Sequence, residues 1–424
     1  MSATMTKPAA PQEQPPPPQQ SDSLGQAFSA YLARVRGGDV GSLPAVLGLV
    51  ALVVVFSILR PHTFTNSFNF ANLIGQSAGV TVLAMGLVFV LLLGEIDLSA
   101  GYSGGTSAAV LGVVLTKHDW PLVPSLIAGL LTGAVIGWGI GLLVARLGIP
   151  SFVVTLACFL GFQGVLLLII GEGGTIPYQD KFVNALNNDS MPVWLGWVLG
   201  IALVVAYAGL GFLTMTRRRA KGLTAQSLAV WAVKSGVVAV VVIAVVAYLS
   251  KERSRNPALN SLKGVPYSLL IIVGLLLVLG FALSRTAWGR HVYAVGGNAE
   301  AARRAGINVA WIKLSCFMVS STIAAIAGIL IASRTNSVNP NTGGDTTLLF
   351  AVGAAVIGGT SLFGGKGRVV DALIGGTVVA VIQNGMGLLN QSQGRVWVVT
   401  GLVLLFAASV DALSRKRASA TGHV

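Results

Sequence analysis

Glu95 and Asp97 stand two residues apart in Gly94-Glu95-Ile96-Asp97-Leu98-Ser99-Ala100-Gly101, between long apolar runs. A carboxylate at the centre of a bilayer costs about 3 kcal/mol or more. The pair must therefore face water, a cavity or a partner, or sit at a helix end where Asp97 or Ser99 accepts from free backbone N–H groups. The two roles are compatible, because interrupted helices line transport routes. Amides are the other polar groups set in apolar surroundings. Asn72 and Gln76 fall on the first turns of one run, Gln163 lies inside a second, and Gln383 and Asn384 lie inside a third. Buried amides need partners, so these either bond between helices or meet a hydroxylated solute.

Catalytic readings fare worse. Gly101-Tyr102-Ser103-Gly104-Gly105 matches the esterase pattern G-x-S-x-G, but that motif needs a strand, a turn and a helix, and here it lies in an apolar glycine-rich run. Val356-Ile357-Gly358-Gly359-Thr360-Ser361-Leu362-Phe363-Gly364-Gly365-Lys366-Gly367 has the look of a phosphate cradle. A P-loop requires glycine at position 360 and Ser or Thr after the lysine. Thr360 and Gly367 occupy those places, so this chain is not expected to hydrolyse ATP. The stretch reads instead as a tight helix-to-loop turn at the cytoplasmic edge, with small residues that allow helices to approach. His62, His118, His291 and His423 share no metal-ligand spacing. Cys158 and Cys316 lie inside apolar runs, as small hydrophobes do.

The elements that must position these residues are membrane helices. Of 424 residues 54% are hydrophobic and only 10% charged, where a soluble chain carries about 25% charged residues. The chain reads as an all-α polytopic membrane protein. About twelve apolar segments lie at 44–59, 72–93, 98–115, 122–144, 151–170, 193–215, 228–249, 266–283, 310–331, 347–363, 369–389 and 396–413. The segments at 98–115 and 347–363 are short and glycine-rich, and either can be a broken or re-entrant helix. Residues 1–43, with Pro15-Pro16-Pro17-Pro18 among glutamines, read as a disordered cytoplasmic tail rather than a signal peptide. Residues 44–413 make one transmembrane domain, and 414–424 a basic tail.

Charge sets the orientation. The net charge of +14 is carried in short loops beside apolar runs, the pattern of a bilayer protein and not of a nucleic-acid binder. Arg217-Arg218-Arg219-Ala220-Lys221, Arg415-Lys416-Arg417 and Lys366 with Arg368 mark inner loops. The loop 171–192 holds Glu172, Asp180 and Asp189 against Lys181 and reads as external. Both termini are expected in the cytoplasm. The loop 250–265 disagrees: Lys251, Arg253, Arg255 and Lys263 stand against Glu252 alone, yet parity places it outside.

One polar island remains, Arg290-His291-Val292-Tyr293-Ala294-Val295-Gly296-Gly297-Asn298-Ala299-Glu300-Ala301-Ala302-Arg303-Arg304-Ala305-Gly306-Ile307-Asn308. It is Ala-rich and helix-prone, and Glu300 has i,i+3 and i,i+4 partners in Arg303 and Arg304. A membrane protein keeps such an island where something docks. With Gly94–Ser99, Val356–Gly365 and Asn384-Gly385, it resembles the permease subunits of bacterial ABC importers for pentoses and related sugars, over roughly residues 60–413.

The resemblance implies an ABC importer permease fold of about ten core helices plus an additional pair, in a multi-pass protein of the bacterial inner membrane. It implies a homodimer, an ABC ATP-binding subunit that uses ATP and Mg, and an extracytoplasmic sugar-binding protein. No cofactor is expected on this chain. Gly296 through Gly306 would form one coupling helix, with Gly296, Gly297, Asn298, Glu300, Ala301, Ala302, Arg303, Arg304 and Gly306 meeting the ATPase. The translocation path would draw on Asn72, Gln76, Glu95, Asp97, Ser99, Gln163, Thr360, Ser361, Gln383 and Asn384. The cargo expected is a monosaccharide, D-xylose first, with ribose, galactose and autoinducer-type sugars as rivals. An ion-coupled secondary transporter would instead lean on Glu95 and Asp97.

Overall fold

Inside a bilayer the backbone finds no water, so an apolar run must close its own hydrogen bonds as helix. All twelve apolar segments fall on helices. The computed structural model describes residues 41–223, 225–254, 256–258 and 261–420, together with Gly25 and Ser29; most of the expected N-terminal tail and the last four residues lie outside the described residues. Among the described residues, eight helices are long and apolar enough to span a membrane, and three apolar helices are shorter.

In chain order the helices are α1 (Leu43–Leu59), α2 (Pro61–Phe64), α3 (Ser67–Leu92), α4 (Ala100–Gly112), α5 (Leu122–Ala145), α6 (Ser151–Ile170), α7 (Lys181–Asn188), α8 (Val193–Ala220) and α9 (Leu228–Leu249). There follow α10 (Tyr267–Arg285), α11 (Ala287–Gly297), α12 (Ala299–Arg304), α13 (Val309–Thr335), α14 (Asp345–Gly358), α15 (Val369–Leu388) and α16 (Gln393–Ala420). Two dipeptide strands, β1 (Ile176–Pro177) and β2 (Ser337–Val338), pair antiparallel with Ile176 opposite Val338. The chain forms two compact units, residues 199–244 and the remainder from Gly37 onward. In the smaller unit, the indole N–H of Trp231 donates to the Ala208 carbonyl at 3.0 Å and its ring tilts against Phe212.

In the larger unit α3 is the central helix, touching α10, α13, α14 and α15. From Val82 to Leu92 it is almost wholly buried. Packing in lipid rests on close backbone approach, and here it is very close. The stripe Gly133, Gly137 and Gly141 of α5 lies on α13, where an added Cβ at 141 would stand 2.8 Å from the Leu314 Cα, and Gly129 continues it onto Ser107 and Leu111 of α4. The glycines of α4 do the same: Gly104 meets the backbone of α13 at Ala324 and Gly328, while Gly101 and Gly105 meet the carbonyls of Gly343 and Thr342. α4 passes into a short stretch of π-helix at Val113–Lys117, and in the segment 347–363 α14 ends at Gly358, leaving its last five residues in the following turn. The G-x-S-x-G match lies within α4, in helix and not in a strand-to-helix turn.

Contacts sort the loops to two ends of this unit. At one end the turns 93–99 and 359–368 meet, and Arg368 donates to the Ser42 hydroxyl at 3.1 Å. At the other end Asn188 donates to Asn336 at 3.0 Å and Met191 N–H to the Val265 carbonyl at 2.8 Å. The basic loop 250–265 thus lies with the acidic loop 171–192, as parity requires. Its charges are partly spent on its own closure. Arg253 donates to the carbonyls of Leu249 and Gly264 and to the Ser190 hydroxyl. Glu252 accepts from the Ser261 hydroxyl and from the N–H groups of Ser254, Leu262 and Arg253, which holds its carboxyl at about 2.

Candidate functional site

The polar island is two helices and not the single coupling helix expected. α11 ends at Gly297; Asn298 turns the chain and accepts from Ala301 N–H at 2.9 Å, starting α12. Asparagine competes with the backbone for its hydrogen bonds, which makes it a breaker inside a helix and a good cap at its start. Gly306, at φ 84°, ends the segment in a conformation that glycine takes without cost. Gly297, Asn298, Glu300, Ala301, Arg303, Arg304 and Gly306 are exposed. Ala302 is 4% exposed and packs inward, so it does not share the outer face. Arg303 and Arg304 both pair with Glu300, at 2.7 and 3.3 Å, with more than half of each side chain exposed. Such pairs are worth less than about 1 kcal/mol; they orient the charges rather than hold the fold.

Gly296 also turns inward. Its Cα lies against the Leu92 carbonyl and the Gly365 N–H, which bond to each other at 2.8 Å. The end of α11 is thus seated on two chain breaks at once, the turn after α3 and the turn after α14. The Tyr293 hydroxyl donates to the Gly367 carbonyl at 2.7 Å, and burial raises that phenol's pKa, keeping it a donor. Trp288 stacks on Phe89 with ring centroids 5.5 Å apart, and its indole donates to Ser315 at 2.8 Å. The turn 93–99 is tied further by an ion pair between Glu95 and Lys313 of α13, and by Ser151 and Thr155 of α6, which bond the backbone of Ile96. Asp97 is 1% exposed; its Oδ1 accepts from the backbone and hydroxyl of Ser99 at 2.9 and 2.7 Å, while Oδ2 has no partner. In the second turn, Ser361 accepts from Phe363 N–H at 3.0 Å, and the buried Thr360 hydroxyl has no partner.

The amides gather at the opposite end. Asn69 and Asn384 exchange hydrogen bonds at 2.9 Å, and Asn384 also donates to Gln76 at 3.2 Å. Asn72 accepts from Arg334 at 2.9 Å. Gln383 has a buried amide nitrogen without a partner. Gln163 is half-buried on α6, away from this group. Ser103, the serine of the G-x-S-x-G match, is buried within α4, and among the described residues its hydroxyl has no partner.

Residues 69–408 match the family described as branched-chain amino acid transport system, permease component. The chain belongs to this permease family. It is 34% identical over 376 residues to the xylose transport system permease protein of Escherichia coli strain K12, covering 88% of this chain and 92% of that one. The corresponding Haemophilus influenzae protein is 32% identical, covering 89% and 98%. The ribose import permease protein of Bacillus subtilis strain 168 is 31% identical, covering 88% and 94%. No solved structure matches the chain. The permease is a multi-pass protein of the inner membrane, and its relatives are non-catalytic transporter subunits.

In this permease the turn residues have distinct physical roles. Burial raises the Asp97 carboxyl above its ordinary value, against the opposing hydrogen bonds from Ser99 and Ala100. A raised folded pKa means the protonated form favours folding. Its stabilisation is complete below the unfolded value and is lost as pH rises through the folded one. Asp97→Asn keeps the Oδ1 acceptor and removes the charge, so its melting temperature at neutral pH is expected to exceed that of the natural chain. Asp97→Ala loses the acceptor and is expected to melt lower, by about 1 kcal/mol. Thermal unfolding in detergent, followed by intrinsic fluorescence, orders the three. Asn298→Ala is expected to destabilise α12 by about 1 kcal/mol. Amide exchange over 299–304 should quicken about fivefold, while α11 stays protected.

The roles of Trp288 and Tyr293 in seating the island, and of Lys313 in tying the turn 93–99, escape a reading of the sequence. Each of the three is an amphipathic side chain of a kind common at membrane edges, and its partner lies far away in the chain. Asn184, Asn187 and Asn188, at i, i+3 and i+4 on α7, are the signal the sequence carries for polar contacts at the opposite end.

Proposed function

We propose that this chain is the membrane subunit of an ATP-driven ABC importer that moves a monosaccharide, D-xylose in the first instance, by alternating access. The observation that carries the reading is full-length likeness to sugar permeases, at 34% identity to the xylose protein over 92% of its length. The family's description names branched-chain amino acids, but the full-length relatives favour sugars. In this reading the twelve apolar segments cross or enter the membrane with both termini in the cytoplasm. Two copies of the chain pair, and a separate subunit binds ATP and Mg. The exposed residues from Gly297 to Gly306 seat that subunit. An extracytoplasmic binding protein delivers the sugar, and the path runs past Asn72, Gln76, Gln383 and Asn384 toward Ser99, Thr360 and Ser361.

The geometry supports a mechanical link. When the nucleotide subunits close, α11 and α12 move with them. Gly296 and Tyr293 bear on the turns after α3 and α14, so both chain breaks shift together. Amides that trade partners suit passing hydroxyl groups, since each hydroxyl both donates and accepts.

Uptake of labelled D-xylose in cells lacking the gene, and in the same cells complemented, tests the reading. Restored uptake competed best by unlabelled xylose is expected. Uptake restored but competed best by ribose would favour the second reading that the Bacillus relative suggests. Unchanged uptake in a strain with no other xylose carrier would overturn the assignment to xylose.

A further inference from the structure

At the end of the larger unit opposite the polar island, Arg334 closes α13 with a half-buried guanidinium. Among the described residues no carboxylate pairs with it. Its Nη2 donates to Asn72 Oδ1 at 2.9 Å. Its Nη1 lies over Gly75, where an added Cβ would stand 2.8 Å from it and 3.2 Å from Asn187 Oδ1. Asn187 is 7% exposed. Its amide nitrogen donates to the carbonyls of Gly75 and Leu330, at 3.2 and 3.0 Å, and its backbone N–H to the Ser333 hydroxyl at 3.1 Å. Its Oδ1 is buried and has no partner among the described residues. A half-buried cation without a counter-ion and a buried acceptor without a donor are each costly alone. Found side by side, they mark unfinished hydrogen bonding.

The surroundings say what completes it. Asn72 and Gln76 are the half-exposed polar residues on one side of α3, one turn apart, and Gln76 leads on to Asn384 and Asn69. The group offers guanidinium and amide donors beside amide acceptors, and no carboxylate. A metal or ammonium ion would meet a positive charge here. A dianion would meet one cation and several acceptors. A neutral polyhydroxylated solute fits, because each hydroxyl both donates and accepts. It can donate to Asn187 Oδ1 and accept from the remaining guanidinium N–H groups. Gly75 is small where a side chain would displace the guanidinium.

We propose that Arg334, with Asn72, Asn187 and the Gly75 backbone, forms the first subsite that a monosaccharide meets in this permease. The inference rests on the proposed sugar-import function and deepens it. Arg334 is the specificity-determining group: it holds hydroxyl oxygens and repels cations, so the route admits sugars and excludes coupling ions.

The test uses the full importer in proteoliposomes, with its ATPase and sugar-loaded binding protein, and reads labelled sugar uptake and ATP hydrolysed per sugar imported. Arg334→Gln is expected to lower uptake at least about tenfold, the worth of a charge-assisted hydrogen bond, and to raise the ATP used per sugar by a similar factor. Arg334→Lys should recover part of the loss. Asn72→Asp keeps the acceptor and adds a counter-ion that occupies the guanidinium, so it should assemble and yet lose uptake; it decides the matter if Arg334→Gln does not assemble. Uptake within about twofold of the natural importer in these variants, or uptake and hydrolysis falling together at a constant ratio, would overturn the subsite. An unmodified importer that hydrolyses ATP but imports none of D-xylose, D-ribose and D-fructose would overturn the function itself.

Discussion

Gly296→Val is expected to leave the permease in the membrane but unable to import sugar. The Gly296 Cα sits where the turn after α3 meets the turn after α14, and a Cβ there would fall on the Leu92 carbonyl and 2.9 Å from the Gly365 N–H. Neither atom can swing aside, because both are backbone and they bond to each other. Forcing a branched side chain into such a joint costs upward of about 2 kcal/mol. The cheapest relief is to lift the end of α11 and separate it from both turns. The coupling between the exposed island and the helix breaks would then weaken about thirtyfold, the equivalent of that energy. Uptake should fall to that extent while ATP hydrolysis by the associated subunit continues. Gly296→Ala should lie between, since it adds the Cβ without the branch. Uptake by Gly296→Val at the natural rate would show that the joint carries no motion.

Gly328→Val is expected to prevent folding rather than impair coupling. α4 and α13 cross with their backbones in contact at this point: a Cβ on Gly328 would meet the Gly104 backbone, with the Cα at 2.9 Å, and one on Gly104 would lie 3.4 Å from the Gly328 nitrogen. Close approach of small residues is what holds helices together in lipid, where apolar burial adds little. The added isopropyl group would separate the helices and loosen α5 as well, which packs on α13 through its own glycines. The cost should exceed about 3 kcal/mol, a large part of the stability of any domain. Size-exclusion chromatography of the solubilised protein should show the monodisperse peak lost. Gly139→Ala, at a glycine of α5 with nothing within 4 Å of its would-be Cβ, is the control expected to keep that peak.

The two glycines look alike in sequence, and so do most of the 53 in the chain. The spacing of Gly133, Gly137 and Gly141 is one that packs closely in lipid, and α5 uses it so. Gly101 and Gly105 share that spacing, but it does not tell that they meet the non-helical stretch at 342–343. Gly296 was read as part of an outward docking surface and faces inward, because Asn298 stops α11 and redirects the chain. In the basic loop 250–265 the charge count does not tell that Arg253 is spent on three acceptors, the carbonyls of Leu249 and Gly264 and the Ser190 hydroxyl.

By itself, the sequence determined the class of protein: the apolar lengths, the sign of most loops, the exposed island and the absence of a nucleotide-binding loop. These are properties of neighbouring residues, and membrane physics acts on them locally, through the length that spans a bilayer and the charge that stays on one side. The tertiary structure alone decided which polar residues meet. Arg334 reaches Asn72 across 262 residues of chain, and Lys313 reaches Glu95 across 218. Such pairings depend on the rotation and crossing of each helix against the others. Those follow from many small packing contacts between distant segments, which no local pattern encodes.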